Sequence, residues 1–149
     1  MNSERGFLMR DSWRPDVVLA CKLEIDGGRD APGHARAAVN ELLGERLDRE
    51  WLFGVGVLVS EVVTNAVRHG GADRNRTVVV HVALAYEVLR VEVCDQGLGF
   101  TPPRNPRPRS QGGGIGLVLL DRMSSRWGVA LDDGTCVWFE RDLAPADYL

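Results

Sequence analysis

The segment Leu58-Val-Ser-Glu-Val-Val-Thr-Asn-Ala-Val-Arg-His-Gly70 constrains this chain more than any other. Read with a period of 3.6, it is a helix with two unlike faces. Val57, Leu58, Val62 and Ala66 form an apolar stripe suited to a core. Glu61, Asn65 and His69 follow at i, i+4 and i+8 on a second, slowly drifting face. A carboxylate stacked above a carboxamide must be hydrated, paired or liganded. A hard cation is one use for such a pair. Asn65 can offer its carbonyl oxygen to Mg2+, which prefers oxygen ligands in octahedral geometry. Glu61, one turn earlier, then stands close to whatever the ion holds. On an isolated helix the same residues would be a solvated polar face.

Two later segments bear on that choice. Leu89-Arg-Val-Glu-Val-Cys-Asp-Gln-Gly-Leu-Gly-Phe100 starts as an alternating strand and breaks at Asp95. Gly97 and Gly99 follow, where side chains would block close approach, although Asp before Gly is also common in plain turns. Gly112-Gly-Gly-Ile-Gly-Leu117 then runs directly into the apolar helical pattern Val-Leu-Leu-Asp-Arg-Met. A glycine-rich loop that opens a helix presents backbone N–H groups and a positive dipole end to an anion, as in a phosphate cradle.

Glu61-x-x-x-Asn65-Ala66-x-x-His69, Asp95-x-Gly97-x-Gly99 and Gly114-x-Gly116-Leu117, in this order, resemble the GHKL ATPase superfamily and its Bergerat nucleotide-binding fold. Within it the chain looks most like the small, single-domain anti-sigma factor serine kinases. Arg126-Trp-Gly-Val129 and Gly134-Thr-Cys-Val-Trp-Phe-Glu140 are similar to the tail of those proteins in actinobacteria, and the resemblance runs from about residue 17 to 141. It implies an ATP site. Asn65 would hold Mg2+, and Glu61 would be the general base. Asp95 would accept a hydrogen bond from the adenine amine. Gly97 and Gly99 would lie near ribose and base. Gly112, Gly114, Ile115, Gly116 and Leu117 would form the phosphate-side loop and helix start. Thr135 matches a position near adenine and is equally an ordinary strand threonine; His69 reads better as a helix-end residue than as a catalytic one. The segment 101–111 corresponds to the ATP lid. Here it carries Arg104, Arg107 and Arg109 among Pro102, Pro103, Pro106 and Pro108. Its arginines suit phosphate or a docking partner, and its prolines stiffen it. Many relatives have a basic residue where this chain has Gly113.

The implied function is Mg·ATP-dependent phosphorylation, on Ser or Thr, of a STAS-type anti-sigma factor antagonist, with a sigma factor as a further partner. A nucleotide-gated binding module without useful kinase activity is the alternative, and plain ATP hydrolysis a third. A complete two-component histidine kinase is not expected, nor is there room for a gyrase-type transducer domain.

Bulk properties set further limits. A chain of 149 residues is expected to be one domain with one sizeable core. Its formal charge of -3 argues against direct nucleic-acid binding. No apolar run approaches the roughly 20 residues of a membrane helix, and the N-terminus lacks the apolar core of a secretory signal. A cytoplasmic protein that does not use a membrane is expected. Cys21, Cys94 and Cys136 have neither zinc-site nor disulfide-framework spacing, and buried free thiols are expected.

The expected order of elements is a loose arm over 1–15, a strand over 17–25 and a turn over 26–30 with Asp30 as N-cap. Helices follow over 31–47 and 50–69, then strands over 77–85 and 88–94. A third helix over 115–125 precedes strands over 129–131 and 136–140. Residues 16–149 would form one α+β two-layer sandwich, a mostly antiparallel sheet with helices on one face. A homodimer is possible through the apolar edge at 17–25.

Overall fold

A computed structural model of the chain describes residues 14, 16–69, 77–95, 114–131 and 134–149, with backbone alone at 69 and 114–116. The expected arm over 1–15, apart from Arg14, and the expected lid over 101–111 lie outside these residues. The elements are β1 (Val17–Asp26), α1 (Ala31–Leu43), α2 (Arg49–His69), β2 (Thr77–Ala85), β3 (Val88–Asp95), α3 (Gly114–Met123), β4 (Arg126–Leu131) and β5 (Thr135–Asp142). A 3-10 turn at Pro145–Asp147 closes the chain.

The strands form one five-stranded sheet in the order β1-β2-β3-β5-β4. Every pairing is antiparallel. The last strand thus inserts between β3 and β4, which brings Thr135 opposite Asp95. Side chains alternate across the sheet. Val78, Val80, Val82, Leu84, Leu89, Val91, Val93, Val137 and Phe139 form the strand side of the core. The helix side of that core is α1 (Ala31, Ala35, Val39, Leu43) and α2 (Leu52, Val55, Leu58, Val59, Val62, Val63), joined by Leu117 and Leu120 of α3. Each buried Leu or Val is worth about 1.5–3 kcal/mol in water removed from apolar surface. α2 is long and apolar enough by length and composition to cross a bilayer; half of its Arg49–Arg68 span is buried inside the protein. The density of Val and Leu needed to line two packed layers accounts for that.

Asp48 caps α2. Its Oδ2 accepts from the N–H of Glu50 at 3.0 Å and of Trp51 at 3.1 Å. The first helix is shorter than its apolar pattern suggests. It ends at Leu43, followed by a turn at 44–46. Leu47, expected as its last residue, is pulled out by a bridge to Tyr148. Tertiary pairing overrides the local period here. Asp30 does occupy the N-cap of α1 but makes no side-chain capping bond. β4 and β5 extend beyond the expected spans because they pair with each other along their length.

The expectation of buried free thiols fails. Cys94 and Cys136 form a disulfide between adjacent strands, with Cα atoms 4.0 Å apart. Spacing rules could not find it, because the partners are 42 residues apart in sequence and become neighbours only in the sheet. Cys21 is a free thiol but only half-buried.

The sheet face away from the helices carries charge. The Arg90 guanidinium lies 3.4 Å from Glu92 and 3.3 Å from Glu140. Arg126 continues the chain of pairs to Glu140 at 2.8 Å and to Asp142 at 2.5 Å. Arg126 holds the Asp142 carboxyl below the usual carboxylate range through its hydrogen bond. That contribution is present above the ordinary carboxylate pKa and is lost as acid protonates Asp142. The Arg90 guanidinium also sits 4.3 Å from the Trp138 ring centroid. Gly128 pairs with Trp138 across β4 and β5, and a Cβ there would come within 2.8 Å of a ring carbon. Gly128→Ala should therefore displace a rigid ring held by Arg90. The expected loss is about 1–3 kcal/mol of stability, read as a lower urea midpoint with an unchanged slope.

Candidate functional site

The site forms where the apolar stripe of α2 runs out against the ends of two strands. Val62, Asn65 and Ala66 of α2, Val93 and Asp95 of β3, and Thr135 and Val137 of β5 line one recess. Its walls are aliphatic, and its polar groups number three. Asn65 and Asp95 are each 7 % exposed and Thr135 is 2 % exposed. They arrive from three elements separated in sequence, and the β3–β5 register places Asp95 directly opposite Thr135. Gly134, just before β5, has φ 123°. Backbone in that region suits glycine, so the chain can turn into the strand there and deliver Thr135 to the recess.

Thr135 Oγ1 is buried and has no hydrogen-bond partner among the described residues. An orphaned hydroxyl at this depth costs about 1–3 kcal/mol, which a ligand can recover. A hydroxyl beside a carboxylate, at the end of a slot walled by Val62, Ala66, Val93 and Val137, suits a flat heterocycle carrying an amine and a ring nitrogen. The amine donates to the carboxylate; the hydroxyl can donate to or accept from the ring. As lined by these residues the recess measures about 10 Å³, so its donors and acceptors fit the polar edge of an adenine base, and the rest of the ring must lie outside these walls.

Glu61 is half-buried on α2, one turn before Asn65. Arg36 of α1 donates to Ser60 Oγ at 3.3 Å and ties the two helices together beside it. Gly114, Ile115 and Gly116 form the first turn of α3, and Leu117 is buried beneath it. α3 packs against α2. The structure thus brings Asn65, Asp95 and Thr135 into one recess, with Glu61 on the same helix and the glycine-rich start of α3 on a helix packed against it. Gly97, Gly99 and Gly112 lie outside the described residues. His69 is the last residue of α2. The aliphatic walls escaped the sequence reading because they look like any core residue. Only their position one to three residues from Asn65, Asp95 and Thr135 could have flagged them.

A recess built from one helix and two antiparallel strand ends, with a glycine-opened helix alongside, is consistent with a domain of the histidine kinase-like ATPase type. Residues 30–141 match the histidine kinase-like ATPase domain, and the chain belongs to that family. It is similar to the anti-sigma F factor of Clostridium perfringens, with 26% identity over 110 residues covering 67% of this chain and 78% of the relative. It is also similar to the serine-protein kinase RsbW of Bacillus licheniformis, with 26% identity over 141 residues covering 87% of this chain and 80% of the relative.

Among solved structures, the RsbU and RsbW domains of Rv1364c from Mycobacterium tuberculosis superpose with a TM-score of 0.64 at 25% identity. The match covers 89% of this chain and 35% of that one, so this chain spans about a third of that larger protein. The histidine kinase domain of a blue-light-activated histidine kinase from Erythrobacter litoralis gives a TM-score of 0.53 at 27% identity, covering 78% of this chain and 61% of that one.

Thr135→Val removes the orphaned hydroxyl and keeps the shape. Melting of the ligand-free protein should be unchanged or slightly higher, while affinity for ADP falls about tenfold, the loss of one good hydrogen bond. Isothermal calorimetry beside a thermal melt checks both halves.

Proposed function

We propose that this chain is a cytoplasmic, Mg·ATP-dependent protein serine/threonine kinase that acts on a STAS-type anti-sigma factor antagonist and also binds a sigma factor. The observation that carries the reading is the convergence of Asn65, Asp95 and Thr135 on one recess beside the half-buried Glu61. The similarity to an anti-sigma F factor and to RsbW supports the regulatory class.

In this reading Asp95 accepts from the adenine amine and Thr135 bonds the ring. Asn65 offers its carbonyl oxygen to the magnesium ion. The ion, when bound, neutralises charge across the phosphates. Backbone N–H groups of Gly114, Ile115, Gly116 and Leu117 at the start of α3 would meet the phosphates, and Gly112, just before that helix in sequence, is assigned to the same loop. Gly97 and Gly99 allow ribose and base to approach the backbone. Glu61 takes the proton from the attacking serine or threonine hydroxyl, within hydrogen-bond reach. Phosphoryl transfer has little covalent chemistry for the protein to perform, so positioning and electrostatics carry the rate. Residues 16–149 act as the nucleotide-binding unit, and β1, an edge strand with Val18 40% exposed, is the proposed homodimer contact.

A second reading keeps nucleotide binding and drops the chemistry. The glycine at 113, where many relatives have a basic residue, and the prolines within 101–111 favour a nucleotide-gated binding module.

The test captures the STAS-type partner from host lysate with Mg·ATP and takes its intact mass. Wild type should add one phosphoryl group. Glu61→Ala should still bind ATP yet transfer about 10²–10⁴-fold more slowly. A partner held only with ATP and never modified replaces the kinase reading with the binding module. Transfer by Glu61→Ala at the wild-type rate removes Glu61 as base.

A further inference from the structure

The sheet face opposite the helices holds a pair of cysteines that the nucleotide-binding reading does not use. Cys94 of β3 and Cys136 of β5 face each other in register and are joined as a disulfide. The next pair along the same two strands is Asp95 with Thr135. Both of those residues line the recess. Because side chains alternate, the sulfurs lie on one face of the sheet and the Asp95 and Thr135 side chains on the other. One peptide unit on each strand separates the covalent bond from the two polar groups at the adenine end. β3 ends at Asp95 and β5 begins at Thr135, so the crosslink sits one rung from the ends of both strands.

We propose that Cys94 and Cys136 are a reversible thiol–disulfide pair that sets the affinity of the recess for an adenine nucleotide. The proposal rests on the nucleotide-binding reading of that recess. With the bond closed, Asp95 and Thr135 are held at the spacing that a bound base requires. With it open, both strand ends gain conformational freedom that a ligand must remove again on binding. The oxidised protein is therefore the tighter binder.

The chemistry balances with a low-molecular-weight disulfide as oxidant. Cys136 is half-buried and Cys94 only 7 % exposed, so Cys136 is the sulfur a reagent reaches. Its thiolate attacks one sulfur of the reagent, forming a mixed disulfide and releasing one thiol. Cys94 then attacks Cys136 Sγ, closing the bond and releasing the second thiol. Two protein thiols are oxidised, one reagent disulfide is reduced to two thiols, and a dithiol runs the sequence backwards. Glu92 Oε1 lies 3.7 Å from Cys94 Sγ and can accept the thiol proton of Cys94 in the reduced state. Disulfides in reducing compartments are mostly transient and regulatory, which fits a switch in a cytoplasmic regulator. The competing use of the same atoms is a metal: ligand atoms of Glu92, Cys94 and Cys136 lie within 4.8 Å of one another.

The test measures calorimetric affinity for ADP on the full chain after oxidation by a low-molecular-weight disulfide and after reduction by a dithiol. Reduction should weaken binding about fivefold or more, in the ordinary range of coupling between two sites, and re-oxidation should restore it. Cys136→Ser should bind like the reduced protein in both conditions. Cys21→Ser, changed on the far edge strand, should respond like wild type. Equal affinity in the two states overturns the switch and leaves the nucleotide site intact. Absence of ADP binding in both states overturns the nucleotide reading itself, and the switch with it. Stoichiometric zinc uptake by the reduced wild type, lost in Cys136→Ser and without effect on ADP affinity, assigns the pair to a metal instead.

Discussion

The apolar stripe of α2, from Leu52 through Val55, Leu58 and Val59 to Val62 and Val63, is almost wholly removed from water, and the position of every group in the recess follows from how it seats on the sheet. A stripe of that width fixes both the rotation of the helix and its height over β2 and β3. Once these are fixed, Asn65 cannot turn to solvent without exposing Val62 and Ala66. It is held at the margin of the core, 7 % exposed, beside Asp95. Glu61, one turn earlier, stays half-buried for the same reason. The packing that stabilises the domain is thus the packing that aims the polar groups. Arg141 reinforces it from β5, donating to the Trp51 carbonyl at 2.9 Å and lying 4.7 Å from the Trp51 ring centroid.

The two faces of the sheet solve different problems. Toward the helices it is aliphatic. On the other side, Arg90, Glu92 and Glu140 are nearly as buried as the core, with side chains 6%, 2% and 7% exposed. Removing such charges from water is costly, and the mutual pairing of Arg90 with both carboxylates is what makes their burial tolerable. Breaking such a buried group by deleting one member typically costs about 3–5 kcal/mol. The same face carries the Cys94–Cys136 bond next to Glu92. Ionic pairs and a covalent link therefore brace β3 and β5 from behind, while the recess opens on the side that the helices cover. An event at the sulfurs has a direct mechanical route to Asp95 and Thr135, through the backbone of the two strands that carry both pairs.

Much of this was legible in the sequence wherever a residue's meaning is local. The face shared by Glu61 and Asn65 follows from helical periodicity, and the break at Asp95 from the end of an alternating run. The glycine-opened helix at 114 follows from the abrupt change of pattern there. The misreadings have long-range causes. Leu47 belongs to an apolar helical pattern, yet the C-terminal segment draws it into a bridge with Tyr148. Cys94 and Cys136 look like isolated thiols until β5 is laid beside β3. Arg90, Glu92 and Glu140 sit at alternating strand positions where polar residues normally face water, so nothing local marks them as buried.

The sequence by itself determined which residues could do chemistry and on what kind of element each would stand, because helix and strand periods and the conformational demands of glycine act over a few residues. Only the tertiary structure decided which of those residues meet. The strand order β1-β2-β3-β5-β4 sets the last strand against β3 instead of after β4. That one insertion turns Thr135 from an ordinary strand residue into the partner of Asp95 and turns two distant cysteines into a bond. Strand order is settled by which arrangement buries the aliphatic face of the whole sheet under all three helices at once, a global optimum that no short window of sequence contains.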